Sequence, residues 1–221
     1  MKYINTKTNT LIGLGTGFLF ASLIMNNSIA EASESKQLNF IEPSVWLGLS
    51  AGSKVSNPNR SVVSGEKDIQ GPTLGIALKY RFSDYYTAGF AYTLSGEFLV
   101  TENHMVGVIG GLSDHDGQFQ SDILLEAGID QINYLGGLFT EVRGDSWTSL
   151  PYAGLRLALR YHPSFLKGAF IGANLIGQAD LLQKTKRFNV IESLLVTQNT
   201  EHEVSLQGER VSLGVSIGWQ I

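Results

Sequence analysis

Charged side chains at even spacings are the feature of this sequence with the clearest chemistry. In an extended chain, residues an even number of positions apart point to the same side. If the segments that carry them are strands of a closed sheet, the charged residues on the faces that point into its interior are Lys79, Arg81, Glu126, Asp130, Arg156 and Arg160. Glu97 joins them if its strand extends that far. Because an unpaired buried charge is costly, basic and acidic members must meet as hydrogen-bonded pairs. They could line an ion-selective constriction or form a structural plug.

Histidine and serine are the residues that could support hydrolysis. An enzyme that cuts or transfers lipid acyl chains needs a Ser–His or Ser–His–Asp cluster. The four histidines, His104, His115, His162 and His202, have no recognisable serine motif beside them. Asp114 and Asp116 in "SDHDGQ" could bind calcium, but they lack the regular spacing of a calcium loop, and turn chemistry explains them better. We therefore expect no catalytic residue, no metal and no cofactor.

Two segments could contact an external partner. One is the tripeptide Arg143, Gly144 and Asp145, which matches a sequence that integrins recognise but needs no more than a turn between strands to explain it. The other contains Lys184, Lys186 and Arg187, which could bind lipopolysaccharide phosphates or a host surface. The simpler interpretation of this second segment is a strand extended beyond the membrane or a helical loop on the rim.

The elements that would position these residues are strands with a two-residue period. The segment "TLGIALKYRF" and the segment "YTAGFAYTLSGE" alternate large apolar residues with small or charged ones, and the short connection "SDY" predicts a hairpin. "VWLGLSAG", "YAGLRLALRYH", "AFIGANLIGQ" and the terminal "VSLGVSIGWQI" alternate in the same way. Short and long connections alternate, which is typical of a closed antiparallel transmembrane barrel with short periplasmic turns and longer outer loops.

The middle of the chain is ambiguous. An even number of strands requires two between residues 98 and 143, and we predict residues 122–129 and 134–142, with a turn at Asp130-Gln131. The same stretch also fits an amphipathic helix, and residues 104–112 could themselves form a strand. Eight strands are therefore expected, with ten as the alternative. The third outer loop then contains the Arg-Gly-Asp tripeptide.

The first 32 residues have the three parts of a secretory signal peptide. Lys2 and Lys7 precede a 15-residue apolar stretch, and Ala30 and Ala32 form a small-residue cleavage pattern. We expect cleavage after Ala32 or Ala30, which leaves residues 33–221 as the barrel domain. The apolar stretch is short for a membrane-spanning helix.

Composition excludes several classes of protein. The chain has 16 Lys and Arg and 20 Asp and Glu, and removing Lys2, Lys7 and Glu31 with the signal peptide leaves 14 and 19. A net charge of about −5 provides no electrostatic basis for binding nucleic acid. The absence of cysteine from the sequence excludes a disulfide scaffold.

The hairpin "LGIALKYRFSDYYTAGFAYTLS" and the terminal "LGVSIGWQI" resemble those of small outer-membrane β-barrel proteins. The nearest type is the eight-stranded kind that includes the membrane domain of outer-membrane protein A and the protein X and Ail group. The resemblance implies a Gram-negative outer membrane as the location. It also implies lipid and lipopolysaccharide as surroundings, and recognition of the C-terminal strand by the barrel-assembly machinery.

These observations together predict a non-enzymatic barrel whose side-chain-filled lumen supports the envelope and whose outer loops contact a host or surface ligand. The alternatives are a small passive, porin-like pore and, third, an enzyme that modifies lipid A. The plug is favoured over the pore because eight strands enclose only enough space for side chains.

Overall fold

The computed structural model describes residues 40–52, 55–56, 70–97, 101–136, 140–192 and 198–221. The strands in this part of the chain are β1 (Phe40–Ala51), β2 (Val55–Ser56), β3 (Gln70–Arg81), β4 (Tyr86–Glu97), β5 (Thr101–Asp116), β6 (Phe119–Tyr134), β7 (Thr140–Arg143), β8 (Trp147–Tyr161), β9 (Ala169–Asp180), β10 (Lys184–Glu192), β11 (Gln198–Leu206) and β12 (Glu209–Trp219). The expected signal peptide, residues 1–32, lies outside the described residues. Within them, no helix has both the length and the apolar character needed to cross a membrane.

Eight of these strands close into an antiparallel barrel in the order β1-β12-β9-β8-β6-β5-β4-β3. The first and last barrel strands complete the closure through eight paired positions, from Ser44 opposite Gly218 to Ala51 opposite Val211. Two backbone hydrogen bonds of 2.9 Å between Ile41 and Ile221 extend this seam to the last residue. The predicted closed barrel and its eight strands are confirmed.

The barrel has two different ends. At the turn end, residues 82–85, 117–118 and 162–168 connect neighbouring strands, whereas the connections through β2, β7 and the β10–β11 pair lie at the loop end. The loop-end strands form a second sheet in the order β2-β11-β10-β7. This sheet includes Lys184, Lys186 and Arg187, so that segment is a strand as expected and not a helical loop, but it belongs to a separate sheet and does not extend a barrel strand.

The prediction for the middle of the chain is correct for residues 122–129, which lie in the barrel strand β6, but the barrel strand at 134–142 and the turn at Asp130-Gln131 are wrong. A hairpin of β5 and β6 occupies this region, and Asp116 pairs with Phe119 across a two-residue turn. Gly117 begins that turn with a φ of 60°, a left-handed conformation that glycine adopts without strain. Asp130-Gln131 is consequently not a turn but lies within β6, and residues 104–112 belong to β5.

The outer face of the barrel is apolar and its inner face is polar. Leu125 is 67% exposed and Val215 is 64% exposed, whereas Lys79 is only 1% exposed. Among the outward positions of the eight barrel strands, charge occurs only near the strand ends, at Glu102, Asp114, Asp116 and Glu209. This distribution is opposite to that of a soluble barrel and is the one that a transmembrane barrel requires.

Aromatic residues border the apolar face at both ends. Those at the turn end are Tyr80, Phe82, Tyr86, Phe119, Tyr161 and Trp219. Several of them contact each other: the rings of Tyr80 and Phe82 stack with centroids 6.5 Å apart, and those of Phe119 and Tyr161 are tilted with centroids 5.4 Å apart. Trp147 lies at the loop end, 5.3 Å from the His104 ring. Aromatic rings are favoured at the two levels where hydrocarbon meets water.

Candidate functional site: the barrel lumen

The turn-end half of the lumen contains a cluster of two acids and two bases, here called the lower ionic layer. Lys79 Nζ lies 2.8 Å from Asp122 Oδ2 and 3.2 Å from Glu42 Oε2. Arg160 completes the cluster, with Nη1 2.9 Å from Glu42 Oε1 and Nη2 2.7 Å from Asp122 Oδ2. All four side chains are at most 4% exposed. Two positive and two negative side chains make the layer electrically neutral. Each charge also faces two of the opposite sign, so none of the four is buried without a countercharge.

A shell of amides and hydroxyls orients the acids of this layer. Ser113 Oγ donates a 2.7 Å hydrogen bond to Asp122, and Gln120 Nε2 donates to Asp122 at 3.1 Å and to Ser113 Oγ at 3.0 Å. Gln120 Oε1 in turn accepts hydrogen bonds from His162 Nε2 and Gln220 Nε2. With its amide nitrogen directed at the acids, Gln120 connects the lower ionic layer to the turn-end rim.

Arg81 does not join the lower ionic layer. Its guanidinium donates to the carbonyl oxygens of Ser83, Asp84 and Ser113, and lies 5.6 Å from the Phe40 ring centroid. Arg81 therefore fastens the β3–β4 turn and closes the lumen at its turn end. The prediction that it faces inward is correct, but its partners are backbone carbonyls rather than a carboxylate.

A second ionic cluster, the middle layer, lies further from the turn end. Arg156 Nη2 is 3.1 Å from Glu126 Oε2, and Glu126 Oε1 accepts hydrogen bonds from Tyr152 Oη at 2.7 Å and Gln178 Nε2 at 3.2 Å. The Arg156 guanidinium also lies 5.7 Å from the centroid of the Trp46 ring. The predicted proximity of Arg156 and Glu126 is confirmed.

Asp130 lies at a different height from the one predicted. Because β6 runs continuously from the turn end to the loop end, Asp130 pairs with Met105 and Leu150 near the loop end and not with Lys79 or Arg160. Arg210 interacts electrostatically with both Asp130 and Asp180. Its Nη1 contacts Ser95 Oγ and lies 3.8 Å from Met105 Sδ. The side chain of Glu97, the other expected inward acid, is outside the described part of the structure.

Apolar side chains separate and cover the ionic groups. Ala77, Ala91, Ile109 and Leu124 form a buried cluster between the lower and middle layers on one side of the lumen. At the loop end, the β10–β11 pair packs on the inward residues of β6 and β8, in a cluster of Ile132, Tyr134, Leu150, Phe188, Val190, Val204 and Leu206. This cluster, here called the outer cap, covers the loop-end mouth along β6 and β8.

The Arg-Gly-Asp tripeptide forms an ordinary turn. Asp145 Oδ1 accepts a 3.1 Å hydrogen bond from the Trp147 amide, and Asp145 Oδ2 accepts a 2.8 Å bond from Lys186 Nζ. The Lys186 hydrogen bond, with the Trp147 amide second, lowers the pKa of the Asp145 carboxyl. Gly144 has a φ of 86°, a conformation that favours glycine. A ligand that needs the Asp145 carboxylate would have to displace both donors.

Two of the three basic residues of β10, Lys186 and Arg187, are also paired. Lys186 bonds Asp145, and Arg187 Nε lies 3.1 Å from Glu203 and 3.8 Å from Glu201 on the neighbouring strand. Their positive charge is thus largely neutralised by acids on the same sheet. Phosphate binding by an unpaired basic cluster is not supported by this arrangement.

The histidines occupy three separate places. His104 Nδ1 is 2.7 Å from Tyr92 Oη on the outer face, His202 Nδ1 is 3.2 Å from Tyr134 Oη beneath the loop-end sheet, and the rings of His115 and His162 are 5.1 Å apart at the turn end. Burial, with the His115 charge second, lowers the pKa of His162. Of the residues that the structure describes, no three His, Cys, Asp or Glu side chains are arranged to hold a metal ion.

Sequence reasoning did not identify Glu42, Asp122 and Arg210 as lumen residues. Glu42 precedes "VWLGLSAG", the first segment predicted as a strand, although it is four positions before Trp46 on the same face. Asp122 has the same parity as Glu126, and Arg210 has that of Ser212 on the terminal strand. Parity was therefore a sufficient signal for all three.

No protein-family model and no curated protein matches the chain. The chain is similar to the solved structure of Neisserial surface protein A, with 14% identity and a TM-score of 0.47 over 79% of this chain and 95% of that one. It is similar to Ail of Yersinia pestis in complex with the heparin analogue sucrose octasulfate (14%, TM-score 0.43, 82% and 99%). It is also similar to the outer-membrane protein OprG of Pseudomonas aeruginosa (10%, TM-score 0.44, 82% and 95%).

Proposed function

We propose that this chain is an integral, non-enzymatic protein of the Gram-negative outer membrane. Its barrel body, filled with side chains, supports the envelope, and its loop-end sheet contacts other surfaces. The observation that carries the proposal is an outer face free of charge between the strand ends, wrapped around buried ion pairs. In water this outer face would expose a continuous apolar surface far larger than soluble proteins tolerate. In a bilayer the same surface is solvated by acyl chains.

The filled lumen argues for a plug over a pore. The lower ionic layer, the middle layer and the Ala77–Leu124 cluster occupy successive heights in the barrel. A permeating ion would have to break hydrogen-bonded pairs in a medium of low dielectric, where separating charges is costly. The small porin-like pore is the alternative, and an ion-selective conductance would support it.

The loop-end sheet is the part of the protein suited to contact. Arg187, Glu201 and Glu203 are exposed on β10 and β11 and carry both signs of charge side by side. Such a surface complements another mixed-charge protein surface better than it complements a polyanion. The partner we propose is accordingly a protein of the host or of a neighbouring cell.

Two further partners follow from the location. Acyl chains and lipopolysaccharide surround the apolar face and its loop-end aromatic border. The barrel-assembly machinery would recognise β12, whose outward face runs from Val211 to Trp219 without a charge. The resemblance to small outer-membrane barrels supports this second partner.

The test of the barrel body is conductance in planar lipid bilayers with the purified, folded protein. We expect no stable, ion-selective current, and boiled protein serves as the unfolded control. Fractionation should recover the protein with the outer membrane, and the folded form should migrate differently on a gel before and after boiling. A reproducible selective current would replace the plug with the pore, and recovery in the soluble periplasmic fraction would remove the membrane location.

The test of the contact role compares adhesion of bacteria that produce two variants. Replacing Arg187 and Glu203 together by Ala keeps the net charge of the loop-end sheet but removes its exposed ion pair. Lys167→Ala, in the turn at the opposite end, is the matched control. We expect the first variant alone to reduce adhesion to a monolayer of host cells, while retention on immobilised heparin is weak for all three proteins. Equal adhesion by both variants would refute a contact role for this pair.

A further inference from the structure

Two neighbouring rows of inward residues cross the lumen wall from β9, the first to β4 and the second to β5, and none of their members is charged. Strand pairing defines the first row as Gly172, Ser216, Trp46, Gly75 and Thr93. The second row, one step closer to the loop end, is Asn174, Gly214, Gly48, Thr73, Ser95 and Asn103. The two rows together are here called the polar ramp. Most of its members are glycine or carry a small hydroxyl.

The polar ramp climbs the barrel from one end to the other. Rows of paired residues run perpendicular to strands, and strands in such barrels tilt by roughly 35–45° from the barrel axis, so each row changes height as it crosses the wall. Its lower end adjoins the lower ionic layer, because a Cβ on Gly172 would contact both Ser216 Oγ and the Arg160 side chain. Its upper end is Asn103, which pairs with Ile132 of the outer cap. Five strand spacings of about 4.8 Å at this tilt give a rise of about 15 Å.

Polar atoms along the ramp have no hydrogen-bond partner among the described protein atoms. These atoms are Ser216 Oγ, Asn174 Nδ2, Trp46 Nε1, Thr73 Oγ1, Thr93 Oγ1 and Asn103 Oδ1. Their residues are at most 4% exposed. Arg160 Nε at the lower end and Ser212 Oγ beside the second row share this condition. Each unsatisfied buried polar group would destabilise the fold by about 1–3 kcal/mol, so native proteins satisfy such groups, and buried water is the usual partner.

We propose that the polar ramp binds a continuous file of water molecules that bypasses both ionic layers and reaches from Arg160 to Asn103. Paired residues in neighbouring strands are about 4.8–5.5 Å apart, a separation that one water can bridge with two hydrogen bonds. A cation would lose its hydration shell on entering. The charged side chains that reach the ramp are all positive and would repel it: Arg160 beside Gly172, Arg156 beside Trp46 and Arg210 at Ser95. The ramp therefore admits water and small neutral molecules into a barrel that excludes cations. This inference rests on the lumen geometry and is independent of what the loop-end sheet contacts.

The test is the reactivity of single cysteines, for which this cysteine-free chain is a ready background. Thr93→Cys places a thiol in the ramp, and Ala91→Cys places one at the preceding inward position of the same strand, in the apolar cluster. Both native residues are at most 3% exposed. Ser216→Cys and Ala77→Cys form a second pair on other strands. Folded protein in lipid vesicles is treated with methyl methanethiolsulfonate, a small neutral reagent, and labelling is followed by mass spectrometry.

We expect the ramp cysteine of each pair to react at least about tenfold faster than its apolar counterpart, because only the hydrated thiolate is reactive. A trimethylammonium thiosulfonate of fixed positive charge should label neither within the same time. Equal rates within both pairs would overturn the water file. Rapid labelling of Thr93→Cys by the charged reagent would overturn the exclusion of cations, and a cation-selective current in planar bilayers would then be expected as well. If one pair does not fold, the other decides the question.

Discussion

Glu42 and Arg160 are 118 positions apart in the sequence, yet Arg160 Nη1 donates a 2.9 Å hydrogen bond to Glu42 Oε1 inside the lumen. They belong to β1 and β8, which are separated in the barrel by β12 and β9. The contact therefore spans the interior instead of joining neighbouring strands. Together with Lys79 and Asp122, it holds opposite parts of the wall at a fixed distance.

Neutralising Glu42 should destabilise the barrel strongly. Glu42→Gln leaves Lys79 and Arg160 with Asp122 as the single acid of the lower ionic layer, and removing one partner of a buried ion pair costs about 3–5 kcal/mol. The free energy of unfolding in urea, measured in lipid vesicles, checks this value. The double variant Glu42→Gln with Lys79→Met restores neutrality and should lose less than the sum of the two single variants. Strict additivity would contradict a coupled layer.

A charge on the outer face should be tolerated only near the strand ends. Val215, opposite Leu47 and Ala173, lies in the middle of the apolar face of β12, and Val215→Arg should cost about 2–4 kcal/mol of folding free energy in lipid. Glu209→Arg introduces the same side chain on the same strand face at the loop end, where the expected cost is about 0–1 kcal/mol. Refolding into vesicles measures both. If Val215→Arg is as stable as the parent protein, the face assignment is inverted and the membrane location is wrong.

Gly75 should not accept a side chain, because a Cβ there would overlap the indole of Trp46. The Arg156 guanidinium packs against the Trp46 ring and limits how far the indole can shift. Gly75→Ala should therefore reduce the free energy of unfolding by about 1–3 kcal/mol and change the tryptophan fluorescence. Gly177→Ala is the matched control, since its Cβ would meet nothing within 4 Å. The control should stay within about 0.5 kcal/mol of the parent. Equal effects at the two glycines would show that Trp46 has room to move.

The barrel should lose stability as the pH falls below the ordinary pKa of histidine. His162, in the turn after β8, has a lowered pKa in the folded protein because burial and His115 disfavour its charged form. Between the two pKa values, His162 binds a proton in the unfolded chain but not in the folded protein. The contribution of His162 to the free energy of unfolding is therefore complete above pH ~6.5 and declines as the pH falls towards the folded pKa. Urea unfolding from pH 8 to 5 measures the slope. In His162→Gln the slope over this interval should be shallower, and an unchanged slope would assign the dependence to other groups.

The inward position of charges could be predicted from the sequence, but their partners could not. A two-residue period fixes the face of each strand residue, so Lys79, Arg81, Glu126, Asp130, Arg156 and Arg160 were all assigned to the correct side. Partners depend on register and strand tilt, which long-range pairing sets. Asp130 illustrates this, because one misplaced turn moved it from the loop end to the turn end.

The actual turn, at Gly117-Gln118, has a local signal in the sequence. Asp116-Gly117 between two alternating segments favours a tight hairpin, and the turn-forming residues of "SDHDGQ" point to the same position. The loop-end sheet and the outer cap had no comparable signal. Phe188, Val190, Val204 and Leu206 alternate like membrane strands, and only the tertiary structure shows that they pack on β6 and β8.

The pairing of β1 with β12 also determines the order in which the barrel can assemble. Three hairpins, β3–β4, β5–β6 and β8–β9, are joined by short turns and can form from local contacts. The seam between β1 and β12 joins the two ends of the described chain, and the loss of chain entropy that this closure requires makes it the slow, late event. Until then both strands present unpaired edges, and edges are the sites at which β proteins aggregate. A catalyst of assembly would therefore accelerate folding most by binding β1 and β12 at this seam. Substitutions along the seam should alter the folding rate more than substitutions within the hairpins.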